Sequence, residues 1–339
     1  MTLPDDATVE RFRAELERLW IEHDGGGNFG VAVSGGPDSV ALLLLAHAAL
    51  PGRVVAATVD HCLRPESEAE AMFVAGLCAS RDIPHDTLRV EVASGNMQAQ
   101  AREARYAALQ QAFARRGCHA YATAHHADDQ AETMLMRLNR GSGLSGLACI
   151  RAHSVRLGED PPAEMQLVRP LLEWRRGDLA DIVRRAGIVP VRDPSNEDGH
   201  FDRVRMRRAL AEADWIDPVA IARSARFLQD AERIVEDELR RVRRDWVHAD
   251  GEAIWFVPGH TRLVEVGIVR SIIADLGGQA RGGAAARMVD TLHREGVATL
   301  GGIVARRGRH PRQADLRADA WKFEREGPRS GGRGAEAVR

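Results

Sequence analysis

Between Phe29 and about Thr123 the chain alternates two kinds of apolar stretch. Residues 29–33 and 53–59 are short and continuous, rich in Phe, Val and Ala, the pattern of strands buried on both faces. Residues 40–49 form a longer apolar run behind a glycine turn. Residues 67–82 have helical spacing, with Met72, Ala75, Leu77 and Cys78 on the apolar side, and 98–116 read as a further helix. Residues 84–92 and 118–124 read as strands. Strands separated by helices predict βαβ units, hence an α/β fold with a doubly wound parallel sheet. Ligands of such sheets bind beyond the carboxyl ends of the strands. The unusual polar residues fall there, at 34–39, 60–64 and 125–129, so a single site is expected.

Beyond this region the periodicity is interrupted. Residues 151–165, with Gly158, Pro161 and Pro162, predict a surface insertion; 173–186 predict a helix and 193–196 a loop. Pro218 opens a long helical pattern over about 219–245. The organisation expected is an N-terminal helix over 1–28, a catalytic domain over 29–217, a helical linker over 218–249, a small α+β C-terminal domain over 250–324, and a disordered Gly/Arg-rich tail over 325–339.

Composition narrows the class without naming it. The 339 residues are 44% hydrophobic, enough for a packed core, and the formal charge of −2 gives no global basic signature. Cys62, Cys78, Cys118 and Cys149 are widely spaced with no C-x-x-C pair, which fits reduced thiols in the cytoplasm and disfavours a cysteine-built zinc or iron–sulfur site. Residues 1–24 are charged and amphipathic, unlike a signal peptide, and the longest apolar run is too short for a bilayer.

The run Ser34-Gly35-Gly36-Pro37-Asp38-Ser39 stands between strand and helix patterns. Its backbone N–H groups and the helix dipole form a phosphate cradle, to which Gly35 and Gly36 permit close approach. The hydroxyls of Ser34 and Ser39 are expected to add donors. It is not a Walker A loop, since Lys322 is the only lysine in the chain. Phosphate is then held by amides and Mg²⁺, with Asp38 the candidate metal carboxylate.

A second constellation runs His125-His126-Ala127-Asp128-Asp129-Gln130-Ala131-Glu132. Helical spacing predicts His125, Asp129 and Glu132 on one face, able to hold Mg²⁺ or a cationic substrate. Either of Asp128 and Asp129 can instead serve the helix N-terminus. Arg102, Arg105 and Tyr106 lie within one helical turn. A run such as the arginines at 203, 205, 207 and 208 is usually a solvated face, though four in six residues could also grip phosphates.

In this order the segments resemble the tRNA(Ile)-lysidine synthases, members of the PP-loop N-type ATP pyrophosphatases. The resemblance rests on residues 34–39, Asp60-His61-x-Leu63-Arg64, Ala101-Arg102-x-x-Arg105-Tyr106, 124–133, Arg140-Gly141-Ser142-Gly143-Leu144-x-Gly146-Leu147, Arg169-Pro170-Leu171-Leu172 and Asp193-Pro194-Ser195-Asn196. Val204 stands where the family often has Asn, and the chain is expected to resemble the shorter two-domain form, without the extra terminal domain of longer members, plus a tail. The resemblance implies a cytoplasmic ligase that adenylates the wobble cytidine of an isoleucine tRNA with a CAU anticodon. Free L-lysine then attacks C2, and codon recognition changes from AUG to AUA. It implies ATP binding by Ser34, Gly35, Gly36, Pro37, Asp38, Ser39, Asp60 and His61, and Mg²⁺ near Asp38. It assigns lysine to Asp129 and Glu132, and catalysis to Asp38, Arg105, Asp129, Glu132 and Arg207. The C-terminal domain is implied to contact tRNA, and a homodimer is compatible with the family.

Three other readings compete. A tRNA thiolation enzyme of the same superfamily needs sulfur chemistry that the cysteine spacing does not favour. A tRNA-independent PP-loop synthetase would exchange pyrophosphate without RNA. A non-catalytic RNA-binding protein would bind without turnover, which intact Asp38, Asp129 and Glu132 argue against.

Overall fold

The structure, a computed structural model, describes residues 3–20, 27–60, 66–90, 97–157, 164–191, 202–309 and 319–326. It divides into two compact units, Met1–Gln229 and Asp230–Arg339. In the first, α1 (Asp6–Leu19) precedes β1 (Asn28–Ala32), α2 (Pro37–Ala49), β2 (Val54–Asp60), α3 (Glu66–Ala79), β3 (His85–Arg89), α4 (Met97–Arg115) and β4 (Cys118–Ala122). Then come α5 (Ala127–Leu138), α6 (Leu144–Leu147), β5 (His153–Leu157), β6 (Glu164–Val168), α7 (Arg176–Arg185) and α8 (Asp202–Glu212). Helix α9 (Pro218–Trp246) carries the chain from one unit into the other.

The first sheet has the order β3-β2-β1-β4-β6-β5. Strands β1, β2, β3, β4 and β6 are parallel, and β5 is antiparallel to β6 with His153 opposite Val168. The expected insertion over 151–165 is thereby corrected. Its first part is an edge strand, which pairs with β6 because residues 164–168 form a buried strand with a free side. The chain winds outward from β1 through β2 to β3, then returns to place β4 on the other flank of β1. Strand order reverses between β1 and β4, which makes the gap at their carboxyl ends the switch point where ligands bind.

Helix α2 is apolar all round because both of its faces are covered, by the sheet and by α1 and α7. Helix α1 caps itself with Asp5, whose carboxylate accepts from Thr8 N–H at 2.9 Å, and buries Val9, Phe12, Leu16 and Leu19 at helical spacing. On the opposite face α4 buries Tyr106, Leu109 and Phe113 against β2 and β4. Gly30 has no alternative, since a Cβ there would stand 2.7 Å from the Phe113 ring. The helix predicted over 173–186 starts at Arg176, after the turn through Trp174.

The second unit holds β7 (Val247–Asp250), β8 (Ala253–Phe256), α10 (Arg262–Asp275), α11 (Gly282–Glu295), β9 (Val297–Leu300), β10 (Ile303–Arg309) and β11 (Asp319–Arg325). Its five strands form an antiparallel sheet, β7-β8-β11-β10-β9, on which Ile268, Ile272, Val289 and Leu292 of the two helices close a core. Buried Glu265 ties this unit together: it accepts from Gly259 N–H and His260 N–H and contacts His293 Nε2 at 2.6 Å. The expected linker is one continuous helix, and the compact units divide within it. The tail expected over 325–339 lies outside the described residues from 327 onward.

Candidate active site at the ends of the first, fourth and sixth strands

The loop after β1 is drawn tight by Ser39. Its Oγ donates to Gly36 C=O at 3.0 Å and accepts from Ser34 N–H at 3.1 Å, with the Ser34 hydroxyl 3.1 Å away. The hydroxyls expected to face a phosphate are thus spent inside the loop, and its shape is their contribution. Gly35 sits at φ +86°, a left-handed conformation that favours glycine, and its C=O accepts from Val191 N–H. No side chain caps α2 at Gly36, and Pro37 and Asp38 occupy its first turn, so the N-terminal amides face outward from the strand end.

Asp38 leans from this loop toward the segment after β4. Its Oδ2 lies 3.4 Å from His126 Nε2, while its Oδ1 is buried with no hydrogen-bond partner. A carboxylate oxygen can only accept, so this orphan suits a cation and the residues fit Mg²⁺ at Asp38. His126 is the N-cap of α5, and its N–H donates to Asp129 Oδ2 at 3.1 Å. Its ring lies 3.6 Å from both Asp128 and Asp129. Burial alone would lower its pKa, but the contacts of Asp128 and Asp38 and the charge of Asp129 outweigh this and push it up to about 10.

The rest of the constellation differs from its helical projection. His125 precedes the helix instead of sharing its face, and its Nδ1 lies 3.0 Å from Thr123 Oγ1. The strand ends at Ala122 and the helix cannot start before its cap, which leaves His125 in the connecting turn. Burial first, then the charges of Arg169, Arg102, Arg203 and Arg105, hold its imidazole well below 6.5 and so neutral. Burial and charge thus favour a neutral His125 beside a protonated His126. Asp128 accepts from Arg176 N–H at 2.8 Å, tying α5 to the start of α7. Asp129 supplies the helix cap.

The acidic pair is already engaged. Arg203 Nη2 reaches Asp129 Oδ1 at 2.6 Å and Arg203 Nε reaches Glu132 Oε2 at 2.7 Å. Arg207 Nε meets Glu132 Oε1 at 2.7 Å. Arg203 and Arg207 lie one turn apart on α8, and Val204, buried beside them, seats that helix. Arg205 pairs instead with Asp202. Two members of the arginine run, Arg203 and Arg207, thus hold α5. Asp60 is buried at the end of β2, whereas His61 and the loop at 193–196 lie outside the described residues. Arg105 stacks on Tyr106 with its guanidinium carbon 5.3 Å from the ring centre.

His126 gives this site a pH signature. The folded state holds one proton more than the unfolded chain between about pH 6.5 and 10, so stability is full below 6.5 and lost as pH rises through 10. The expected slope is about 1.4 kcal/mol per pH unit. Unfolding midpoints measured across this range should fall, and the fall should flatten in His126→Gln.

The PP-loop domain family matches residues 8–214. A tRNA(Ile)-lysidine synthase of Novosphingobium aromaticivorans is 44% identical over 320 residues, covering 94% of this chain and 93% of its own. Another, from Zymomonas mobilis, is 39% identical over 308 residues, covering 89% of this chain and 90% of its own. Among solved structures, the U34-tRNA thiolase NcsA from Methanococcus maripaludis superposes with a TM-score of 0.52 at 13% identity, over 66% of this chain and 81% of that one, a likeness of fold. The described cysteines are unsuited to sulfur transfer. Cys78, Cys118 and Cys149 are free and buried, and burial pushes the Cys78 and Cys118 thiols up to about 11 and about 12.

Proposed function

The chain belongs to the tRNA(Ile)-lysidine synthase family, within the PP-loop domain proteins, and from that premise we propose that its strand-end site joins L-lysine to C2 of the wobble cytidine of an isoleucine tRNA with a CAU anticodon. The observation that carries this reading is the meeting, at the switch point between β1 and β4, of the phosphate cradle with the segment from His125 to Glu132. Two steps balance. The cytidine O2 attacks the α-phosphorus of ATP and pyrophosphate leaves; a lysine amine then attacks C2, the C–O bond to AMP breaks, and the amine proton is released. The amides of α2, with Gly35, Gly36 and the Ser34–Ser39 brace, hold the polyphosphate, and Asp38 with its orphan oxygen is the place for Mg²⁺, which would offset phosphate charge. Asp60 and His61 complete the nucleotide subsite.

Asp129 and Glu132 receive the lysine ammonium. Arg203 now occupies them, but its side chain is 44% exposed and can turn outward, whereas Glu132 is 2% exposed and fixed. Arg207 remains on Glu132 and, with Arg105, offsets charge at the activated base or the α-phosphate. Because Lys322 is the only lysine and lies in β11, the nucleophile is external. Incubation with ATP, radiolabelled lysine and unmodified isoleucine tRNA tests the reading: label must enter the RNA, with AMP formed, and only when all three are present. Pyrophosphate exchange without RNA would overturn it in favour of a tRNA-independent synthetase.

The second unit is proposed to extend the RNA contact. The arginines of helix α9 each have a carboxylate within reach that offsets their charge: Arg223 and Arg226 with Glu173, Arg233 with Asp230, Arg240 with Asp237, Arg241 with Glu238, Arg243 with Asp275 and Arg244 with Asp245. The exposed Arg306 and Arg309 of β10 are better placed to meet phosphates. A cut after Asp217 would strip the first unit of Ala222, Ala225 and Gln229, whose amide bonds Ala148 C=O and Ile150 C=O. Truncation after about residue 236 is the cleaner test. It should weaken tRNA affinity and flatten its salt dependence while ATP binding persists.

A further inference from the structure

Tyr106 of α4 is surrounded by positive charge. Its ring centre lies 5.2 Å from the Arg102 guanidinium carbon, 5.3 Å from that of Arg105 and 4.7 Å from that of Arg156. Arg102 Nη2 also donates to the Tyr106 hydroxyl at 3.2 Å. Arg169, immediately after β6, lies beside the same hydroxyl. Burial would raise the Tyr106 phenol, but Arg102, Arg169 and Arg105 together lower it.

The charge balance of this group is unlike that of the other arginine clusters. Every α9 arginine named above has a carboxylate, and so do Arg203 and Arg207. Arg156 has Glu103 at 2.7 Å. Arg102, Arg105 and Arg169 have none among the described residues. Arg169 is only 6% exposed, gives Nη1 to Arg151 C=O, and keeps a buried Nε without a hydrogen-bond partner. The buried Tyr121 hydroxyl is likewise unpartnered. A buried guanidinium without a counter-ion, flanked by two more, is costly unless an anion completes it.

We infer that Arg102 and Arg169, gathered on Tyr106, form an anion subsite that takes a phosphodiester of the RNA substrate, while Arg105 beside them keeps its role at the activated base. The inference rests on the RNA substrate proposed above and adds a place for its backbone. The polyphosphate of ATP already has the amides and helix dipole of α2 after β1, whereas this group belongs to α4 and to the end of β6, beyond β4. The field of these arginines reaches His125, which links the group to the segment after β4. A base turned into the switch point leaves its flanking phosphates at the rim, and the exposed side chain of Arg102 leaves the group open to solvent. Within it Arg102, which donates to the Tyr106 hydroxyl, is the exposed member, and buried Arg169 adds its charge behind it.

The test uses the full chain, unmodified isoleucine tRNA and ATP, with RNA affinity measured over a salt series and ATP affinity measured separately. Arg102→Gln, an exposed position where folding is not at risk, should weaken RNA binding and reduce the salt slope by about 0.7–0.9, one phosphate contact, with ATP affinity unchanged. Arg169→Lys keeps the charge but not the fork, and should weaken RNA binding without altering ATP affinity. ATP affinity lost with RNA affinity intact would assign the arginines to the nucleotide and overturn the inference. Unchanged RNA affinity and slope in both variants would overturn it equally. Failure of the unsubstituted chain to bind the RNA at all would instead overturn the functional reading on which it rests.

Discussion

Asp38→Ala is expected to reduce AMP formation by about 10²–10³, the usual cost of one transition-state electrostatic contact, while the chain folds and still binds tRNA. The carboxylate has one oxygen facing His126 and one buried oxygen with no partner, an arrangement poised for a cation. Removing it leaves His126 with Asp128 and Asp129, so the local charge network survives and the loss falls on chemistry. Single-turnover AMP release with saturating ATP, Mg²⁺, lysine and tRNA is the measurement. Turnover within a few-fold of the unsubstituted enzyme would remove Asp38 from the mechanism.

Glu132→Gln is expected to cost both activity and stability, and this separates it from Asp38. Glu132 is buried and accepts from Arg203 and Arg207, so it joins α5 to α8 as well as lying in the proposed lysine site. Breaking a buried ion pair by removing one partner costs about 3–5 kcal/mol. Here the low end applies, because Arg203 and Arg207 reach solvent and are rehydrated. An unfolding midpoint lower by about 6–12 °C should accompany a loss of lysine transfer. Asp129→Asn should lose lysine transfer with a smaller stability change, since Asp129 shares Arg203 with Glu132. Equal stability losses with normal transfer would make the acidic pair purely structural.

Much of this was legible in the chain. Continuous apolar runs can satisfy their pattern only as strands buried on both faces, and alternation with helical spacing leaves a parallel sheet as the consistent arrangement. The glycine turn between strand and helix was readable because backbone chemistry, φ > 0 at Gly35 and free amides at a helix start, is local. The resemblance rested on ordered motifs, and 44% identity over 94% of the chain bears out the family.

Tertiary structure decided what depends on neighbours remote in sequence. The edge strand β5 could not be read because its apolar pattern is broken by Arg156 and by solvent on one side; only pairing with β6 makes it a strand. Helical projection placed His125 with Asp129, but the cap at His126 excludes it, and a one-residue shift at a helix start turns a side chain by about 100°. Charge state was beyond the sequence altogether. His125 and His126 are identical neighbours, yet burial, reinforced by four arginines, holds one neutral, while three carboxylates hold the other protonated. The arginines follow the same logic. Composition counts them alike, and Arg233, Arg240 and Arg241 find carboxylates three residues away on α9 itself, but only the fold shows that Arg226 meets Glu173 across elements and that Arg102, Arg105 and Arg169 meet no carboxylate among the described residues.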